Sequence, residues 1–163
     1  MENDNGHWEG QVADPTQYFG FIYLITHVPS GRRYIGKKQY YNAKKPPGCS
    51  RRCADRKSKE WKDKCWGPSN WKVYQGSSPS LKKFMETTND DSQFKYEILC
   101  QCRSKAILYY AECKMLHYCD VMQRKFEDGT FAYFNNSIPS MKFKIKEKLD
   151  DWEEILKTGI AGR

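Results

Sequence analysis

Gly20-Phe21-Ile22-Tyr23-Leu24-Ile25-Thr26-His27-Val28-Pro29-Ser30-Gly31-Arg32-Arg33-Tyr34-Ile35-Gly36-Lys37-Lys38 is the stretch on which the fold turns. Two short runs rich in β-branched and aromatic residues, Phe21 to Thr26 and Arg33 to Gly36, flank Pro29-Ser30-Gly31, which has the chemistry of a turn. The pattern predicts a β-hairpin that brings Tyr23 and Tyr34, one on each strand, close together in space. A lone hairpin is marginal in water, so other elements must cover at least one of its faces.

Upstream, residues 1–17 are polar, carry Gly6, Gly10 and Pro15, and read as a mobile leader. Downstream, residues 37–76 lose periodicity and gain charge. Between Arg32 and Lys83 there are sixteen Lys or Arg against three acids, Asp55, Glu60 and Asp63, interleaved with Tyr40, Tyr41, Trp61, Trp66, Trp71 and Tyr74. Lysine and arginine neutralise phosphates, and flat rings stack on bases. The imbalance favours nucleic acid over a merely solvated face, even though some of the rings must be core. Lys38, Lys44, Lys45, Arg51, Arg52 and Lys72 are the expected DNA contacts, with Ser77 and Ser78 at the segment's end.

The rest of the chain supplies the cover. Ser78 and Pro79 have the chemistry of an N-cap and first helical position, and Leu81, Phe84 and Met85 carry the helix to about Thr88. Phe94, Tyr96 and Ile98 alternate as a third strand to Cys100. Ser104 caps a long helix through about Arg124, whose apolar stripe includes Leu108, Ala111, Met115, Cys119 and Met122. Glu112 falls on that stripe. A carboxylate there is costly unless it is paired, holds a cation, or reaches solvent at the stripe's edge. Phe131 to Phe134 is short and strand-like. Residues 139–163 are read as an edge strand, Met141 to Lys146, and a terminal helix, Asp150 to Lys157.

Composition narrows the classes. The chain has 163 residues and a formal charge of +8, a sign that favours a polyanionic partner. No apolar run approaches the roughly 20 residues that span a membrane, and no export signal is visible, so a cytoplasmic location is expected. Seven cysteines without that signal are expected to be free thiols. Cys49, Cys53 and Cys65 lack tight paired spacing, and a zinc knuckle there would need a fourth ligand such as His27 or Cys102.

Phe21-Ile22-Tyr23, ten residues, then Tyr34-Ile35-Gly36 resembles the signature of the GIY-YIG nuclease family. Phe21 stands where the motif has its first glycine. Gly76-Ser77-Ser78, the helix around Leu81, the strand from Phe94, Glu112 and Tyr133-Phe134-Asn135 follow in the family's order, so the resemblance covers roughly Gly20 to Ile138, within an expected nuclease domain of residues 18–138. Trp71 to Ser78 is most similar to the Trp-Lys-x-Tyr-x-Gly-Ser-Ser segment of phage-encoded Seg and homing-type enzymes. The implied fold is α+β: a small three-stranded antiparallel sheet flanked by helices, here with a basic insertion after the hairpin.

The resemblance implies hydrolysis of a phosphodiester in double-stranded DNA with one Mg²⁺ or Mn²⁺. It makes Glu112 the metal ligand, Tyr23 the general base with Tyr34 beside it, and Asn135 a polar residue near the phosphate. A free phenol has a pKa near 10 and needs a nearby cation to act at neutral pH; Lys37 is the candidate. The family's arginine corresponds to one of Arg51, Arg52 and Arg56, with Arg56 favoured and Lys72 an alternative source of charge. The 25 residues beyond Ile138 are few for a DNA-reading domain, so sequence choice is expected to be modest, or to come from the insertion or from oligomerisation. A repair or junction nuclease shares the same site. The competing class is a nucleic-acid-binding protein that has lost catalysis, which has little reason to keep Tyr23, Tyr34 and Glu112 together.

Overall fold

A computed structural model describes residues 4–10, 12–44 and 65–146. The hairpin forms as β1 (Gly20–His27) and β2 (Arg33–Gln39), and Gly31 supplies the turn with φ +74°, its amide donating to His27 O at 2.8 Å. Phe94–Cys102 lies antiparallel against the other side of β1, giving a three-stranded sheet with β1 in the middle. Tyr41–Ala43 (β3) and Trp66–Pro68 (β4) form a separate two-stranded ribbon, and Phe94–Cys102 is therefore β5.

Burial of β1 on both faces explains its nearly unbroken apolar run. Ile22 and Leu24, with Ile35 of β2, face one side and pack on Leu108, Ala111 and Met115 of helix α2 (Lys105–Tyr118). Phe21, Tyr23 and Ile25 face the other, among Trp8, Tyr40, Trp71, Tyr96 and Phe134. Helix α1 (Pro79–Thr88) adds Leu81 to this aromatic layer, capped by Ser78 as the sequence predicts and closed by Asn89 at φ 49°.

Several expectations are corrected. Residues 4–10 of the leader are docked rather than mobile. Trp8 is buried with its indole N–H on Trp71 O, and Glu9 pairs with the outer edge of β5 through Tyr96 O and Ile98 N, at 2.8 and 3.0 Å. An open strand edge gains a partner in this way. Helix α2 stops at Tyr118, six residues short of Arg124, because Asp120 turns into left-handed backbone at φ 50°; Met122, expected on the stripe, is consequently exposed. Residues 141–146 form no strand. The terminal helix lies outside the described residues. Phe131 to Phe134 runs beside β2 through one isolated parallel bridge, Arg33 with Tyr133, with Phe134 N donating to Arg33 O at 2.7 Å. Cys100, Cys102, Cys113 and Cys119 are free thiols, but Cys65 is disulfide-bonded, a pairing that an odd cysteine count does not reveal.

Candidate active site

The register of the hairpin sets Tyr23 opposite Gly36, so the two share a face. A Cβ at residue 36 would overlap the Tyr23 hydroxyl and crowd Tyr34 Cε1. The missing side chain therefore lets the Tyr23 phenol lie across β2 and reach its outer edge. Tyr34 stands beside it, ring centroids 6.1 Å apart. On the outer edge Asn135 brackets one residue of β2: its Oδ1 accepts from Ile35 N at 3.1 Å and its Nδ2 donates to Ile35 O at 2.8 Å. Beyond that clamp a cleft of about 210 Å³ opens, lined by Tyr23, Tyr34, Lys37, Ser77, Glu112 and Asn135.

Glu112 enters this cleft from α2. It is only 7% exposed, and its Oε1 accepts from Lys37 Nζ at 2.8 Å. The buried carboxylate anticipated on the apolar stripe is thus paired, not at a solvent edge. Among the described residues nothing hydrogen-bonds Oε2. Alternation along β2 explains the pairing. Lys37 lies opposite Ile22 and so projects to the α2 face, where its ammonium also covers the Tyr109 ring at 4.6 Å. That geometry corrects the expectation that Lys37 lowers the phenol of Tyr23. Burial pushes the Tyr23 hydroxyl far above the ordinary phenol range, with Tyr34, Tyr74 and Glu112 adding to the effect. Burial also raises Tyr34, opposed by a hydrogen bond from Ser77. Both phenols are protonated at neutral pH in the free protein.

The remaining expected residues divide sharply. Ser77 lines the cleft, whereas Ser78 is buried with its Oγ accepting from Leu81 N, which takes it out of the DNA-contacting set. Asn135 spends its amide on β2 and acts as a clamp, so phosphate binding is not the use its side chain is put to here. Lys72 sits on Asp4 at 2.7 Å, away from the cleft, and does not supply the missing charge. Tyr40 and Trp71, counted among rings that could stack on bases, are core. Lys38 lies over the Tyr74 ring at 3.9 Å, and Lys44 is exposed immediately after β3. Lys45, Arg51, Arg52 and Arg56 lie outside the described residues. His27, offered as a zinc ligand, has its ring nitrogens on Ser30 Oγ and Gln93 Oε1 at 2.6 and 2.9 Å.

One residue went unnoticed in the sequence. The Tyr74 ring packs edge-on against Tyr23, ring centroids 6.0 Å apart, and thereby supports the phenol at the heart of the cleft. Its signal was its place between Trp71 and Gly76, where it read as one aromatic among several.

Paired tyrosines on a hairpin, a glycine that admits one of them, and a carboxylate from the following long helix define a nuclease domain of the GIY-YIG type. The family model described as "Putative endonuclease segE, GIY-YIG domain" matches residues 6–138, and the chain belongs to that family. Comparison with curated proteins and with solved structures gave no match. The matched span begins within the docked leader, consistent with that segment being part of the domain. Among the described residues no helix is long and apolar enough to cross a membrane.

Proposed function

We propose that this chain is a metal-dependent endonuclease that hydrolyses phosphodiester bonds in double-stranded DNA, encoded by a phage and acting in the host cytoplasm. The observation that carries the reading is Glu112, a buried carboxylate turned into a polar cleft beside two tyrosine hydroxyls. The similarity to phage-encoded Seg-type enzymes supports the origin, and the formal charge of +8 supports a polyanionic substrate.

The donor set fits one Mg²⁺ or Mn²⁺. A single buried carboxylate turned into a polar cleft suits an ion that takes one protein ligand and fills its shell with water and substrate phosphate. Glu112 would hold it, and bound there it would supply positive charge to the phosphate and acidify the attacking water. Lys37, already on Glu112, is the protein's own cation in the cleft and is set to stabilise charge building on the phosphate. Tyr23 is the candidate general base. Since Glu112 is one cause of its raised pKa, neutralising that carboxylate favours release of the phenolic proton. Tyr34, held by Ser77, orients the scissile group.

Supercoiled plasmid incubated with purified protein tests the reading directly. Cleavage is expected with Mg²⁺ or Mn²⁺ and not with EDTA, and relaxed against linear product separates nicking from double-strand cutting. Glu112→Gln keeps the shape and loses the charge, and is expected to bind DNA but not cut it. Cleavage at the wild-type rate by that variant would overturn the metal assignment.

A further inference from the structure

Outside the cleft, the tip of the hairpin carries an arginine whose surroundings are unusual. The Arg32 guanidinium lies 4.0 Å from the centroid of Phe134 and 5.5 Å from that of Phe84, so two aromatic rings hold it. Its Nε donates to Phe131 O at 3.2 Å, fixing the direction of the fork. Among the described residues no carboxylate pairs with it, and its two terminal amino groups have no hydrogen-bond partner. Burial pulls its pKa down from the ordinary range, the opposite of what a partnered arginine shows. An arginine placed only to cover rings would be free to swing its charged end into water; this one is held in place with its hydrogen-bonding edge unused.

Position gives that edge a purpose. Arg32 stands two residues before Tyr34, immediately ahead of β2 and about 7 Å away along the backbone, and the Phe134 ring it covers belongs to the same aromatic layer as Tyr34. Phe134, which it stacks on, directly precedes the cleft-lining Asn135. Arg33 follows it in the chain, and Arg124 and Lys125 are paired through the backbone with Ala132 and Phe131, the segment Arg32 bonds to; Lys125 also lies over the exposed Phe131 ring at 4.7 Å. A rigid, planar fork with unused donors matches the oxygens of a phosphate.

We propose that Arg32 is a docking point for a backbone phosphate of the substrate, about one to three nucleotides from the bond that is cut, given the ~3.4 Å rise per nucleotide. The inference rests on the reading of the cleft as a DNA-cutting site, and names a contact that fixes the register of the strand across it. Phosphate contacts of this kind position a duplex without reading its sequence.

The test uses the full chain, a short DNA duplex and EDTA, so that binding is measured without cleavage. Arg32→Gln is expected to weaken binding roughly 10-fold, the loss of a charged hydrogen bond. It should also reduce the slope of log affinity against log salt by about 0.9, one phosphate contact. Arg32→Lys keeps the charge and should keep the slope, with intermediate affinity. A purely ring-covering role would lower the melting temperature and leave the salt slope alone, which would overturn the proposal. Neutral methylphosphonate linkages, placed one at a time along the duplex, add position. One of them should weaken the wild type and leave Arg32→Gln unaffected; equal losses in both proteins at every position would also overturn it. Wild-type protein that fails to bind DNA would sink the nuclease reading and this inference together, whereas normal wild-type binding with an unaltered variant sinks the inference alone.

Discussion

Under α2 the sheet is aliphatic, with Ile22, Leu24 and Ile35 against Leu108, Ala111 and Met115; its opposite face is aromatic, with Phe21 and Tyr23 among Trp8, Tyr40 and Trp71. The two faces do different physical jobs. Aliphatic side chains carry no polar atoms and contribute through burial and close packing alone. Tyrosine and tryptophan bring comparable apolar area with a polar handle that must find a partner. Trp8 finds Trp71 O and Tyr40 finds Gln101, while Tyr23 lines the cleft. The aromatic face therefore delivers hydroxyls to the edge of the sheet, while the aliphatic face delivers one carboxylate, Glu112, from below. Gly36 is where they meet, because a residue without a side chain leaves the edge of β2 open between them.

The sharpest way to break this division is at Tyr23. Tyr23→Phe removes only the hydroxyl and keeps the ring that packs against Trp8 and Tyr34. Cleavage is expected to fall by a factor on the order of 10² to 10⁴, the usual loss of a general base, with an unchanged circular-dichroism spectrum. A variant that cuts at the wild-type rate would show that the aromatic face serves packing alone.

The mirror experiment is on the aliphatic face. Leu24 is 1% exposed and packs under α2. Leu24→Ala is expected to cost about 2–5 kcal/mol of stability, through lost transfer energy and the cavity left behind. Below the new melting temperature its cleavage rate per folded molecule should match the wild type. A rate loss well beyond the unfolded fraction, measured at a temperature where denaturant titration shows the variant folded, would mean that the two faces are not separable.

The same contrast explains what could be read from the sequence. Period-2 alternation, Pro29-Ser30-Gly31, and the capping serines Ser78 and Ser104 are local signals, so the hairpin, both helix starts and β5 were legible. Glu112 was legible because helical spacing alone puts it among leucine, alanine and methionine. What escaped depends on contacts distant in sequence. Trp8 sits in a polar leader, and only the fold reveals that it docks against Trp71, 63 residues away. Asn135 reads as a polar neighbour of the site until Ile35, 100 residues away, is seen to occupy its amide. For Lys37, sequence proximity to Gly36 says nothing about the face on which the side chain stands. The pleat sends it to α2, and counting alternate residues from Tyr34 would have shown this. Helix α2 stopped short because a left-handed residue, Asp120, is not announced by a glycine.

The smallest effect tests the leader's part in the aromatic face. His7 stacks on Tyr96 with ring centroids 3.9 Å apart, and its Nε2 lies 3.0 Å from Tyr74 O, to which a neutral ring with Nε2–H donates. Tyr74 in turn packs edge-on against Tyr23, so His7 tethers the leader to the loop beneath the cleft. Burial lowers the pKa of His7, outweighing Tyr74 O and the charge of Asp91, which both raise it. The sign follows from that direction. A folded-state pKa below the ordinary 6.5 means that the unfolded chain binds the proton first, so stability is present above about 6.5 and is lost as pH falls through the folded value. Between pH 7.5 and 5.5 the wild type should lose slightly more melting temperature than His7→Gln, which cannot take up the proton. The comparison with the variant removes every contribution common to both proteins. Parallel melting curves across that range would show that the leader is held by Trp8 and Glu9 without help from the imidazole.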